Sequence, residues 1–114
     1  MKRIIYIVLM MLLPMCAIAN DSIPVTYAAK TEISKKAGDD AYSKGKFSEA
    51  VGVYEAVIKE KGATKQLYYN LGNAYFREHN IGKAILNYER ALKLDPLDED
   101  AKANLEYANS LIKD

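Results

Sequence analysis

Residues 65–96 read KQLYYNLGNAYFREHNIGKAILNYERALKLDP, followed by Leu97 and Asp98. Bulky and small residues alternate along this stretch at helical spacing. Tyr68, Leu71, Gly72 and Tyr75 lie three or four apart and share one helix face. Ala84, Ile85, Tyr88, Ala91 and Leu92 do the same on a second helix. Gly72 and Ala84 are small enough to let two helix backbones approach, with the large side chains filling the space beside them. His79 and Asn80 form the turn between the helices. Asp95-Pro96 ends the second, because proline cannot continue a helix.

The aromatic–Leu–Gly–Tyr run, the Ala–aromatic–Ala run and the terminal Pro resemble the tetratricopeptide repeat, a helix–turn–helix unit of about 34 residues. Sliding the window back by one repeat length lays Thr31–Thr64 on Lys65–Asp98. Gly38 then falls on Gly72, Ala50 on Ala84, Tyr54 on Tyr88, Glu55 on Glu89 and Lys59 on Lys93. Ile33 with Leu67, Tyr42 with Phe76, Val51 with Ile85 and Ile58 with Leu92 are conservative swaps. Two repeats are therefore expected, over 31–64 and 65–98. The first is irregular, with Ser34 at the place of Tyr68 and Gly62 at that of Pro96, as befits a terminal unit.

In the first repeat the pattern predicts a helix from about Thr26 to near Lys44, with Ile33, Ala37, Ala41 and Tyr42 facing inward. Gly45-Lys46 makes the turn. A second helix carries Phe47, Ala50, Val51, Tyr54, Val57 and Ile58 on one face and ends before Gly62, where glycine suits a left-handed cap. Residues 99–114 read as a closing helix or a partial third repeat. Asp98 caps it, Glu99 and Asp100 favour its N-terminal dipole, and Ala101, Leu105, Ala108 and Leu111 or Ile112 form its buried stripe. Glu106 takes the place of the packing glycine. The expected fold is all-α: two tetratricopeptide hairpins in a right-handed superhelical stack with a C-terminal capping helix. About three units are normally needed for independent stability, so either a longer chain continues or the open end packs on another copy as a homo-oligomer.

The start of the chain has a different character. Lys2 and Arg3 precede a continuous apolar run, Ile4–Leu13, and Ala17-Ile18-Ala19 offers small residues for a signal peptidase. This reads as a secretory signal over 1–19 cut after Ala19, followed by a lead-in over 20–30. The run is short for a membrane span, so an uncleaved signal is the way this segment would anchor the chain. The whole chain carries a net +1 charge. Cleavage would leave 14 basic and 15 acidic residues and remove Cys16, the one cysteine of the sequence. No basic stripe suggests a nucleic-acid partner.

Residues for chemistry are sparse. The one histidine, His79, falls in a turn. No nucleophile has a positioned base, and no ligand set suits a metal or other cofactor. Asp39 and Asp40 are neighbours that a helix points about 100° apart. Asp98-Glu99-Asp100 lacks the loop glycine and the later glutamate of a calcium loop. The sequence therefore reads as no enzyme.

What remains is a surface. The first helices of stacked repeats line a concave groove, and the resemblance implies that this groove holds an extended segment of another protein. Its candidate residues are Lys35, Asp39, Tyr42, Gln66, Tyr69, Asn70, Asn73, Phe76, Arg77 and Tyr107, together with Ser43, Ala103 and Ser110. Aromatic rings supply contact area at low entropy cost, and Asn and Arg can grip a backbone or carboxylate. Tyr69 and Arg77 are expected to point away from the repeat's own core, and Asn73 to be exposed. A subclass of the family clamps the C-terminal carboxylate of chaperones. Lys35 and Asn70 match that clamp, but Asp39, Asp100 and Asn104 depart from it, and two acids would repel the carboxylate.

The run LYYNLGNAYFREHNIGKAILNYERALKLDPLDEDAKANLEYANSLIKD looks like the repeat region of exported proteins encoded in Bat aerotolerance operons of Bacteroides-like bacteria. The likeness covers roughly 38–114. Members of that family commonly continue into a membrane span and an SH3-like domain. It implies a periplasmic or envelope-associated protein of a Gram-negative bacterium with an envelope component as partner. The membrane would then be reached only through an uncleaved signal or a C-terminal part absent from this sequence.

Overall fold

A computed structural model describes residues 33–112. The expected signal, lead-in and Cys16 lie outside the described residues. Among those described there are five helices and no strand: α1 Lys35–Ser43, α2 Phe47–Lys61, α3 Lys65–Arg77, α4 Ile81–Leu94 and α5 Glu99–Leu111. None is long and apolar enough to cross a membrane. Each helix packs on its neighbours in the chain, so α1–α2 and α3–α4 are hairpins and α5 lies on α4. The expected all-α helical-repeat fold is what the chain adopts.

Helix ends follow local chemistry. Ser34 and Thr64 are extended and accept from the amides of Ala37 and Leu67, three residues on. Asp98 accepts from Asp100 and Ala101. These side chains satisfy donors that a helix N-terminus leaves unpaired. Ser34 also corrects the expected start near Thr26. Ile33 and Ser34 are not helical, and the helix begins at Lys35. In the repeat alignment the counterpart of the Thr64 cap is Lys30, so the Ser34 cap comes a turn later and α1 is shorter than α3.

Both hairpin turns are built alike. Lys46 N–H donates to Ala41 O and Gly45 N–H to Tyr42 O. In the next repeat Asn80 N–H to Tyr75 O and His79 N–H to Phe76 O are the same pair of bonds. That pair requires a left-handed residue just past the helix. Gly45 has φ +75° and His79 φ +63°. Gly62 closes α2 at φ 95° and ψ 161°. Its φ is positive, but the extended ψ corrects the expected left-handed helical cap to a conformation that is essentially glycine-only. Before Pro96, Asp95 is extended, ending α4 as expected.

The core runs through both hairpins and onto α5: Ala41, Ala50, Val51, Tyr54, Val57, Leu67, Leu71, Ala74, Tyr75, Ala84, Tyr88 and Ala108. A Cβ at Gly38 would sit 2.5 Å from the Tyr54 ring, and one at Gly72 2.7 Å from that of Tyr88. Glycine at these two positions is thus what admits each tyrosine. Tyr68, expected inside, is half-buried with Arg90 over its ring; Leu67 and Ala74 are buried on that helix instead. Leu111 and Ile112 are exposed, contrary to the expected buried stripe, because no further helix among the described residues covers that end of α5. Asn87 is buried beside the core, its Nδ2 donating to Lys83 O while Oδ1 has no protein partner.

Candidate functional site

The helices α1, α3 and α5 stand side by side, joined by side chains reaching up from α2 and α4. Tyr54 donates its hydroxyl to Asp39 Oδ1 at 2.6 Å, and Asn70 Nδ2 donates to the same oxygen at 3.1 Å. One repeat on, Tyr88 donates to Asn73 Oδ1 at 2.6 Å and Asn104 Nδ2 to that oxygen at 3.0 Å. Each set ties an outer helix to two inner ones. The three positions recur in the repeat register: Asp39 with Asn73, Tyr54 with Tyr88, Asn70 with Asn104. A net 0.5–1.5 kcal/mol per hydrogen bond is about the usual contribution, and geometry adds a fixed spacing between the inner helices.

Two depressions of about 150 Å³ each open above these sets. Asp39, Tyr42, Ser43, Tyr54, Asn70 and Asn73 line one. The other takes Tyr42, Asn73, Phe76, Arg77, Tyr88, Asn104 and Tyr107. They share Tyr42 and Asn73 and so adjoin along one face. Of the groove residues expected from sequence, Asp39, Tyr42, Asn70, Asn73, Phe76, Arg77 and Tyr107 are brought together here. Lys35, Gln66 and Tyr69 line neither depression.

The reasons are specific contacts. Lys35 pairs with Asp39 Oδ2 at 2.6 Å, and Gln66 donates to Asn70 Oδ1 at 2.9 Å. Tyr69 does not point away from the core: it is half-buried, packs on the core and accepts from Asn104 Nδ2, with its ring 6.1 Å from that of Tyr88. Asn73 is half-buried rather than exposed, for its Oδ1 is the meeting point of two donors. Among the remaining positions, Ser43, Ala103 and Ser110 are exposed, and of these Ser43 lines one of the two adjoining depressions.

Aromatic stacking sets the walls. Phe76 and Tyr107 have ring centroids 5.7 Å apart, and Tyr42 meets Phe47 edge-on at 5.1 Å. The Arg77 guanidinium lies 4.5 Å from the Phe47 ring centre and 6.0 Å from that of Tyr42. Such cation–π contacts hold the planar group in place, and its edge N–H donors meet no acceptor among the described residues.

Charge is arranged unevenly. Burial pushes the Asp39 carboxyl up, but hydrogen bonds from Lys35 and Tyr54, the Lys35 charge and Asn70 outweigh it and hold the group below its ordinary value. Asp39 is therefore ionised and compensated by Lys35. Burial, then Asp39, push the Tyr54 phenol up; burial, then Tyr69, do so for Tyr88. Both hydroxyls stay protonated as donors at neutral pH. Among the described residues no three His, Cys, Asp or Glu side chains group as a metal set.

Sequence reasoning missed the floor. Tyr54 and Tyr88 read as core from periodicity, yet their hydroxyls reach the groove. Asn104 was legible only as a departure from a carboxylate clamp. The signal was present in the recurrence of Asx, Tyr and Asn from one repeat to the next.

The family model described as tetratricopeptide repeat matches residues 66–97. Tetratricopeptide repeat protein 16 of Mus musculus is 34% identical over 64 residues, 56% of this chain and 8% of the relative. The human and Macaca fascicularis proteins of that name are 31% identical over 64 residues, again 56% of this chain and 7% of theirs. The chain thus spans less than a tenth of the length of these relatives. By sequence and by fold, the α3–α4 hairpin is a tetratricopeptide repeat, set within an all-α helical-repeat fold of the described residues.

Proposed function

We propose that the chain is a non-catalytic scaffold that holds an extended segment of a partner protein across the α1, α3 and α5 face. The observation that carries this reading is the convergence of Tyr42, Asn73, Phe76, Arg77 and Tyr107 on one depression of side-chain size. Tetratricopeptide repeats generally mediate protein–protein interaction, which supports it. The groups gathered there hydrogen-bond and stack, and no nucleophile among them meets a base. The setting is the cell envelope, reached by the signal read over 1–19, and the partner is an envelope component. The likeness to the Bat-operon proteins extends this to aerotolerance, as a structural part rather than a redox catalyst.

The test is a photocrosslinking residue placed at Tyr107 in the full chain, in native cells, with Lys93 on α4 as the control position. Tyr107 is 59% exposed and lines the groove. A partner captured from position 107 and not from 93 is the expected result. Equal capture from both, or none from 107, contradicts it.

A second reading, self-assembly through the open end, is favoured by one observation: Leu111 and Ile112 are 50% and 57% exposed on the last turn of α5 and just past it. A mass that doubles with concentration, and fails to in Leu111→Ser/Ile112→Ser, would establish it.

A further inference from the structure

Resting on the groove reading above, the geometry points to a partner segment of one chemical type: we infer that it is an acidic internal stretch, with Asp or Glu bound by Arg77 and an apolar side chain two residues away. Three observations lead there. First, Arg77 is the one groove cation without a carboxylate partner among the described residues. Lys35 is neutralised by Asp39, and Glu78 lines neither depression. The two adjoining depressions therefore hold one uncompensated charge, and it is positive, although acids and bases nearly balance over the whole sequence.

Second, that charge is presented rather than buried. Arg77 is exposed, and Phe47 and Tyr42 hold its plane. A guanidinium fixed in this way offers paired donors that match a carboxylate. The far depression offers no free cation to an acid, because its one charged side chain, Asp39, is already paired with Lys35.

Third, Arg77 shares its depression with the Tyr42, Phe76 and Tyr107 rings and with two amides. Asn73 Oδ1 is occupied, while its Nδ2 donates to no described acceptor; Asn104 Nδ2 is occupied, while its Oδ1 accepts from no described donor. One free donor and one free acceptor suit the C=O and N–H of a passing peptide unit. In an extended chain, residues i and i+2 face the same side, about 6.5–7 Å apart. The Arg77 guanidinium lies 6.0 Å from the Tyr42 ring centre, about that spacing, so an acid at Arg77 and an apolar side chain among the rings fall two positions apart. Arg77 also lines a further depression with Phe47, His79, Ile81 and Leu111, so the surface continues past it, which favours a side-chain carboxylate over a chain terminus.

The experiment is selection of random dodecapeptides, displayed with no free C-terminus, on the full 114-residue chain and on Arg77→Gln. Enriched peptides are expected to carry Asp or Glu two residues from an aromatic or aliphatic residue. A selected peptide, made synthetically as its C-terminal amide, should lose about tenfold or more in affinity on Arg77→Gln, as expected for one charge-assisted hydrogen bond. Replacing its acid by the amide on the wild-type chain should cost a similar factor, with little further loss when the two changes are combined. This second arm keeps the test valid if Arg77→Gln folds poorly. Peptides enriched without an acidic preference, or binding that requires a free terminal carboxylate, would overturn the inference and leave the groove reading standing. Enrichment of nothing on the wild-type chain would overturn both.

Discussion

Asp39 and Asn73 occupy the same place in successive repeats and accept from the same two partners, a tyrosine hydroxyl and an asparagine amide. The difference is charge, and it gives Asp39 a pH dependence that Asn73 lacks. Its carboxyl is held below the ordinary value in the fold, so its stabilising contribution is present above the unfolded pKa of about 3.9 and is lost as pH falls through the lower folded value. Asp39→Asn should keep the acceptor for Tyr54 and cost under about 1 kcal/mol at pH 7, since the Lys35 pair is well exposed. Denaturant midpoints at pH 7 and pH 3 should then lie closer together in the variant than in the parent. An equal separation would remove Asp39 from the acid response. None of this pairing was legible from periodicity, which says which face a residue lies on and not which polar atom it meets. Asn87 teaches the same lesson, being a polar residue buried where the first repeat carries Val53.

Helices were the most legible level. A shift by one repeat length aligns Gly38 with Gly72 and Tyr54 with Tyr88, because a missing Cβ beside a large ring is a packing requirement that each hairpin must meet. Ends were harder. The apolar spacing around Ile33 suggests continuation back to Thr26, while one hydroxyl at Ser34 starts the helix. Lys46 and Asn80 show what such a hydroxyl or amide contributes. Both precede a helix with nearly the same backbone, φ −88°, ψ 70° and φ −91°, ψ 78°, yet Asn80 accepts from Lys83 N–H and Lys46 makes no cap bond. Lys46→Asn should therefore supply the missing cap to α2 and stabilise the chain by about 1 kcal/mol in chemical denaturation. No gain, with helicity unchanged, would mean that the Lys46 backbone is not held as Asn80's is.

At the scale of the molecule, α5 starts at Glu99, one repeat length after α3 starts at Lys65. It keeps the Asx–Asn register, so Asn104 completes for Asn73 what Asn70 does for Asp39. That shared register makes the inner helices one continuous face. The candidate groove was legible to the extent that this face was: counting Ser43, eight of its expected residues converge on the two depressions, while Lys35, Gln66 and Tyr69 are held by side-chain partners. The exposed Leu111 and Ile112 were misread because a helix stripe in sequence carries no sign of whether a neighbour exists to cover it. The account rests on this face being where a partner lies. Its most direct test is amide-resolved NMR of the full chain titrated with the partner segment captured at Tyr107. Shifts should concentrate on Tyr42, Asn70, Asn73, Phe76, Arg77 and Asn104, leaving Glu49, Glu89 and Lys93 on the outer helices still. Shifts centred on those outer residues, or on Leu111 and Ile112 alone, would contradict it.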